Sequence, residues 1–96
     1  MDYLKEYNLT ENDIKEIESK IDERDKFEIS TNEERVNEII KYLLSIGITN
    51  IKDIILYKSN IFYDNINAIK KLLDSCNQEM INSINEDVLN FDLIGI

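Results

Sequence analysis

Residues 36–49, VNEIIKYLLSIGIT, decide how this chain folds. Val36, Ile39, Ile40, Leu43 and Leu44 recur at the i, i+3, i+4, i+7, i+8 spacing of one face of an α-helix. Gly47 then supplies the residue that adopts a left-handed conformation just past a helix end, and Ile48 can fold back on the last turn. Thr49 or Asn50 is placed to cap a following helix, in which Ile51, Ile54 and Ile55 share one side. Asn60-Ile61-Phe62-Tyr63 interrupts, and a third helix carries Ile66, Ile69, Leu72 and Leu73. Short amphipathic helices of this kind cannot bury their apolar stripes alone, so they must pack on one another.

Working outward, residues 2–7 read as a short helix with Tyr3, Leu4 and Tyr7 on one side and Asn8 as a left-handed terminator. Thr10-Glu11-Asn12-Asp13 is a capping box with Asp13 in place of the usual Glu or Gln, opening a helix with a narrow Ile14, Ile17, Ile21 stripe. Phe27 and Ile29 are expected to anchor the link that follows. Ser30 and Thr31, each three residues before a glutamate, are expected to start the central helix, from about Asn32 to Ser45. Beyond Leu73 the chain should break around Ser75-Cys76-Asn77. A helix with Met80, Ile81 and Ile84 follows, and Asp87 caps a last segment whose apolar residues must dock on the body or on another chain.

The absence of proline and the two glycines in 96 residues suit helices with economical breaks, and apolar/polar alternation is nowhere sustained. The expectation is a single all-α domain, a small right-packed helical bundle or short α-solenoid of about five to six short helices. Residues 1–29 would form an acidic N-terminal helical arm, and residues 30–96 a helical-repeat body. No stretch approaches membrane-spanning length, and a lone cysteine, Cys76, fits a reducing compartment, so a soluble cytoplasmic protein is expected. Heavy use of Ile, Asn and Lys, all with AT-rich codons, points to a low-GC bacterium or one of its phages or plasmids.

Three stretches line up as helix end, terminator and new start: residues 3–10, 42–49 and 71–78. The last two are offset by 29 residues, which maps Ile40, Leu43 and Leu44 onto Ile69, Leu72 and Leu73. Leu44-Ser-Ile-Gly-Ile-Thr49, Ile51-Lys-Asp-Ile-Ile55 and Asn60-Ile-Phe62 resemble the repeats of the mitochondrial transcription termination factor family over about residues 36–94. Asn60 stands where that family has proline. The resemblance implies an α-solenoid, and with it nucleic-acid binding.

The chemistry of catalysis is largely missing. With no histidine, neither a Cys-His nor a Ser-His pair can form. No glycine-rich phosphate loop and no calcium-loop pattern is present, so no enzyme, metal or cofactor is expected. The charge of −9 is segregated: residues 1–38 hold 13 acids against 6 bases, residues 39–75 hold 3 against 5, and residues 76–96 hold 4 against none. A duplex binder ordinarily carries a basic excess to displace phosphate counterions. The sequence therefore favours a non-enzymatic acidic protein-binding module: an inhibitor or regulator that engages the basic surface of a nucleic-acid-handling protein by mimicking nucleic acid, as anti-CRISPR proteins do. Glu11, Asp13, Glu16, Glu18, Asp22, Glu23, Glu34 and Glu38 are its candidate partner-binding residues. The bland alternative for these acids is solubility. Two rival functions stand beside it. One is a nucleic-acid-binding repeat module using Lys41, Lys52, Lys58, Lys70 and Lys71 with Tyr42, Tyr57 and Tyr63. The other is a structural or self-associating subunit joined through the C-terminal tail.

Overall fold

The turn at Gly47 sets the geometry of the centre. In the computed structural model, which describes Met1–Ile96, Gly47 has φ 97°, the amide of Ile48 donates to the Leu43 carbonyl (3.0 Å) and that of Gly47 to the Leu44 carbonyl (3.1 Å). This is the crossed pair of bonds that satisfies the orphan carbonyls of a helix end. A Cβ at Gly47 would meet only the Ile81 Cγ2 at 3.5 Å, so the demand for glycine is conformational and not steric.

The chain is wholly helical, without strands. Its α-helices are α1 (Glu11–Lys20), α2 (Glu23–Thr31), α3 (Glu33–Ser45), α4 (Ile51–Tyr57), α5 (Ile66–Leu73) and α6 (Gln78–Glu86). Three 3₁₀ segments, Asp2–Tyr7, Ser59–Tyr63 and Val88–Ile94, bring the number of pieces above the expected five to six. The order α-helix, turn, α-helix, 3₁₀ segment occurs twice, over residues 33–63 and 66–94.

Packing is not confined to neighbours: α1 lies on α4, α2 on the 59–63 segment, and α3 on α5. One core of 22 buried residues runs from Leu4 to Phe91, with Ile17, Ile39, Ile40, Leu43, Ile54 and Phe62 fully enclosed. The radius of gyration is 12.7 Å, close to the roughly 12.5 Å of a folded chain this long. The N-terminal helices supply Leu4, Ile14, Ile17, Ile21 and Ile29 to the same core as the body. No helix is long and apolar enough to cross a membrane.

Several local signals act as their chemistry requires. Asn8 sits at φ 66°. The Thr10 box closes reciprocally, Asp13 N–H donating to Thr10 Oγ1 (3.1 Å) and Thr10 N–H to Asp13 Oδ2 (2.9 Å). Asn77 and Asp87 accept from the amides of Met80 and Leu89.

Others are corrected. Asp22 accepts from the Asp25 amide (2.8 Å) and starts α2 there, so the stretch 23–29 is helix and not a link. Ser30 and Thr31 consequently lie at the end of α2, where the Thr31 hydroxyl donates to the Phe27 carbonyl (2.7 Å) instead of capping α3. Asn32 joins the two helices without a side-chain cap. Ile29 is buried, but Phe27, expected as an anchor, is 68 % exposed on the outer side of α2. Asn50 occupies the N-cap position of α4, yet its amide donates to the Ile84 carbonyl (2.9 Å), and its buried Oδ1 meets no donor. The 29-residue offset preserves burial at Ile40 and Ile69 but not beyond: Leu43 is enclosed while Leu72 is exposed, and Leu44 is exposed while Leu73 is enclosed.

Candidate functional site

The candidate acids divide by what the fold does with them. Asp13 and Glu16 face α4, where Lys52 Nζ donates to Asp13 Oδ1 (3.0 Å) and Glu16 Oε1 (3.2 Å). The Thr10 amide, then Lys52, holds Asp13 below the ordinary carboxylate range, and Lys20 and Lys52 do the same for Glu16. The two carboxylates in turn raise Lys52. Asp22 is the cap of α2, and Glu23 pairs with Lys26 at 2.6 Å. Glu11, Glu18, Glu34 and Glu38 remain exposed, with no cation of the chain on any of them.

Of these, Glu34 and Glu38 share an open cleft of about 540 Å³ with Asp64, Asn65 and Tyr63, formed where the start of α3 passes the start of α5. Arg35, also on this cleft, is turned to Glu28 (3.4 Å). Glu11 and Glu18 stand apart on the outside of α1. The eight candidates thus differ in commitment: Asp13, Glu16 and Asp22 are tied into the architecture, Glu23 makes an exposed pair within its own helix, and four are free.

The lysine stripe is divided too. Lys52 is held as described, and Lys58 is buried in an ion pair with Asp92 that ties the end of α4 to the C-terminal segment. Lys70 lies over the Tyr42 ring at 5.5 Å, while Lys41 and Lys71 stay exposed. Tyr63 donates to Asp25 (2.7 Å) and carries Arg24 above its ring; the Asp25 hydrogen bond pushes its hydroxyl up to about 12. Tyr42 donates to Asp74, and burial followed by that bond likewise raises it to about 12. Only Tyr57 of the interleaved tyrosines keeps its hydroxyl free.

Asp22, Glu23, Asp25 and Glu28, close together along the chain, are engaged one by one. They serve the α2 cap, Lys26, Ser59 with Tyr63, and Arg35 respectively. Cys76 is half-buried, and burial pushes its thiol up, the opposite of activation. Sequence reasoning missed Asn85, which accepts from the Thr49 amide (2.9 Å) and donates to the Gly47 carbonyl (2.8 Å), clasping the central turn from α6. No local pattern marks such a residue. Comparison of the chain with protein-family models, with curated proteins and with solved structures finds no match.

Proposed function

We propose that the chain is a non-enzymatic acidic protein-binding module, an inhibitor or regulator that occupies the basic surface of a nucleic-acid-handling protein in the cytoplasm in the manner of a nucleic-acid mimic. The observation that carries this reading is the fate of the charges. Glu11, Glu18, Glu34 and Glu38 are exposed and unpaired. Two of the five lysines that would serve a nucleic-acid stripe, Lys52 and Lys58, are neutralised inside the chain. Unpaired carboxylates on a rigid helical frame attract and orient a basic partner without having to break internal ion pairs. The twice-occurring helix, turn, helix, 3₁₀ order supports reading residues 30–96 as a short solenoid that presents this surface. The nucleic-acid binding implied by the family resemblance is the weaker reading, because only Lys41 and Lys71 of the stripe are wholly uncommitted.

The test is retention of host proteins on the immobilised chain, followed by competition with duplex DNA. The expected partner is displaced by DNA and by salt, and is lost when Glu11, Glu18, Glu34 and Glu38 are all changed to lysine with the far-ultraviolet circular dichroism unchanged. Retention that survives this replacement overturns the reading. A low-salt gel shift of nucleic acid by the chain itself, abolished by Lys41→Gln, Lys70→Gln and Lys71→Gln, establishes the rival instead.

A further inference from the structure

Each of four tyrosines spends its hydroxyl within the chain: Tyr3 on the Ile29 carbonyl, Tyr7 on Asn37, Tyr42 on Asp74 and Tyr63 on Asp25. Tyr57, at the end of α4, makes no such bond and is 59 % exposed. The Val88–Ile94 segment packs on α4 and brings Leu89, 53 % exposed, to the same cleft. Asp53, Glu86 and Asp87 line the same cleft, no cation lines it, and none of these carboxylates has a salt bridge. Asp87 commits one oxygen, Oδ1, to the Leu89 amide. Leu93, 68 % exposed, lies farther along the same 3₁₀ segment.

The cleft holds about 210 Å³. Pockets for drug-sized ligands begin near 300 Å³, so this one suits a single large side chain of a macromolecular partner. An exposed tyrosine and leucine in one cleft with carboxylates is the composition of a protein-recognition patch, aromatic contact supplying affinity and charge supplying orientation. The sign of the charge selects the occupant. A second copy of this chain, itself at −9 overall, would be repelled at long range and has few uncommitted cations to offer. A segment bearing Lys or Arg beside an apolar residue would meet complementary charge, and an arginine could also stack on the Tyr57 ring.

We propose that the Tyr57–Leu89 cleft is a docking site for a basic segment of a partner protein that inserts one apolar or aromatic side chain beside Asp53, Glu86 and Asp87. The site shares no residue with Glu11, Glu18, Glu34 and Glu38, so it and the function proposed above can fail separately.

Fluorescence anisotropy at physiological salt with three labelled peptides tests it: a helical peptide of Trp, Leu and Arg, its Arg→Glu counterpart, and an Arg-retaining counterpart with Trp and Leu changed to Ser. Only the first should bind well. Tyr57→Ala, Leu89→Ser and the pair Asp53→Lys with Glu86→Lys should each weaken it by about tenfold or more. Asp2→Asn with Glu79→Gln, exposed carboxylates outside both proposed surfaces, should change it by less than about threefold. Circular dichroism certifies each variant as folded. Equal binding of the Ser-substituted peptide, absence of binding by all three, or indifference to Tyr57→Ala and Leu89→Ser overturns the proposal. So does sedimentation showing that the free chain self-associates through Leu89, since the cleft would then be filled by a second copy.

Discussion

Leu43 and Leu44 are adjacent, chemically identical and differently placed: the first is completely enclosed and the second is 38 % exposed. Truncation of an enclosed leucine forfeits transfer energy and leaves a cavity. Leu43→Ala should therefore cost about 2–5 kcal/mol, whereas Leu44→Ala should stay within about 1 kcal/mol, both read from urea unfolding of the purified chain. Equal costs would mean that α3 is rotated from the orientation described. At this scale the legible residues were those whose role is local. Gly47, Asn8, Thr10 and Asp87 act on amides or carbonyls within a few positions of themselves. Asn85, Asp25 and Lys58 act on groups more than thirty positions away, and nothing near them in the chain announces it.

At the scale of elements, Lys52 joins α4 to α1 through Asp13 and Glu16. Both carboxylates titrate lower in the folded chain than their ordinary values. Their stabilisation is accordingly present above the unfolded value, near pH 4, and is lost as pH falls through the folded value. Lys52 is raised, so its share is present below its unfolded value, near pH 10.4, and lost as pH rises past the folded one. The joint should be strongest between about pH 5 and pH 10. Thermal unfolding followed by circular dichroism should show a smaller loss of stability for Lys52→Met than for the native chain on going from neutrality to about pH 3. Some loss should persist in the variant, because the Thr10 amide still lowers Asp13. Superimposable pH profiles would refute the coupling. The existence and type of these elements could be read from apolar periodicity, but the α1–α2 and α2–α3 boundaries could not. Asp22 and Ser30 both present a capping oxygen before a helical run; Asp22 takes the cap of α2, and Ser30 falls inside that helix. The candidate site was legible only as a list of acids. Asp22 and Glu23 are engaged by neighbours three residues on, but the pairing of Asp13 and Glu16 with Lys52 depends on where α4 passes α1, and sequence spacing does not encode that.

For the molecule as a whole, the C-terminal tail is both interior and surface. Val88 and Phe91 are buried in the common core, while Leu89 and Leu93 face outward. Phe91→Ala should destabilise the chain by about 3–5 kcal/mol, whereas Leu93→Ser should alter stability by less than about 0.5 kcal/mol, measured by chemical denaturation. Point changes at Leu89 and Leu93 therefore separate association from folding, which removal of the tail cannot do.

The enclosure of Phe91 in the same cluster as Leu4 has a bearing on biosynthesis. The interior lacks one of its two largest enclosed side chains until Phe91 has left the ribosome. A polypeptide interrupted before Phe91 would present its isoleucine-rich helix faces to chaperones and proteases.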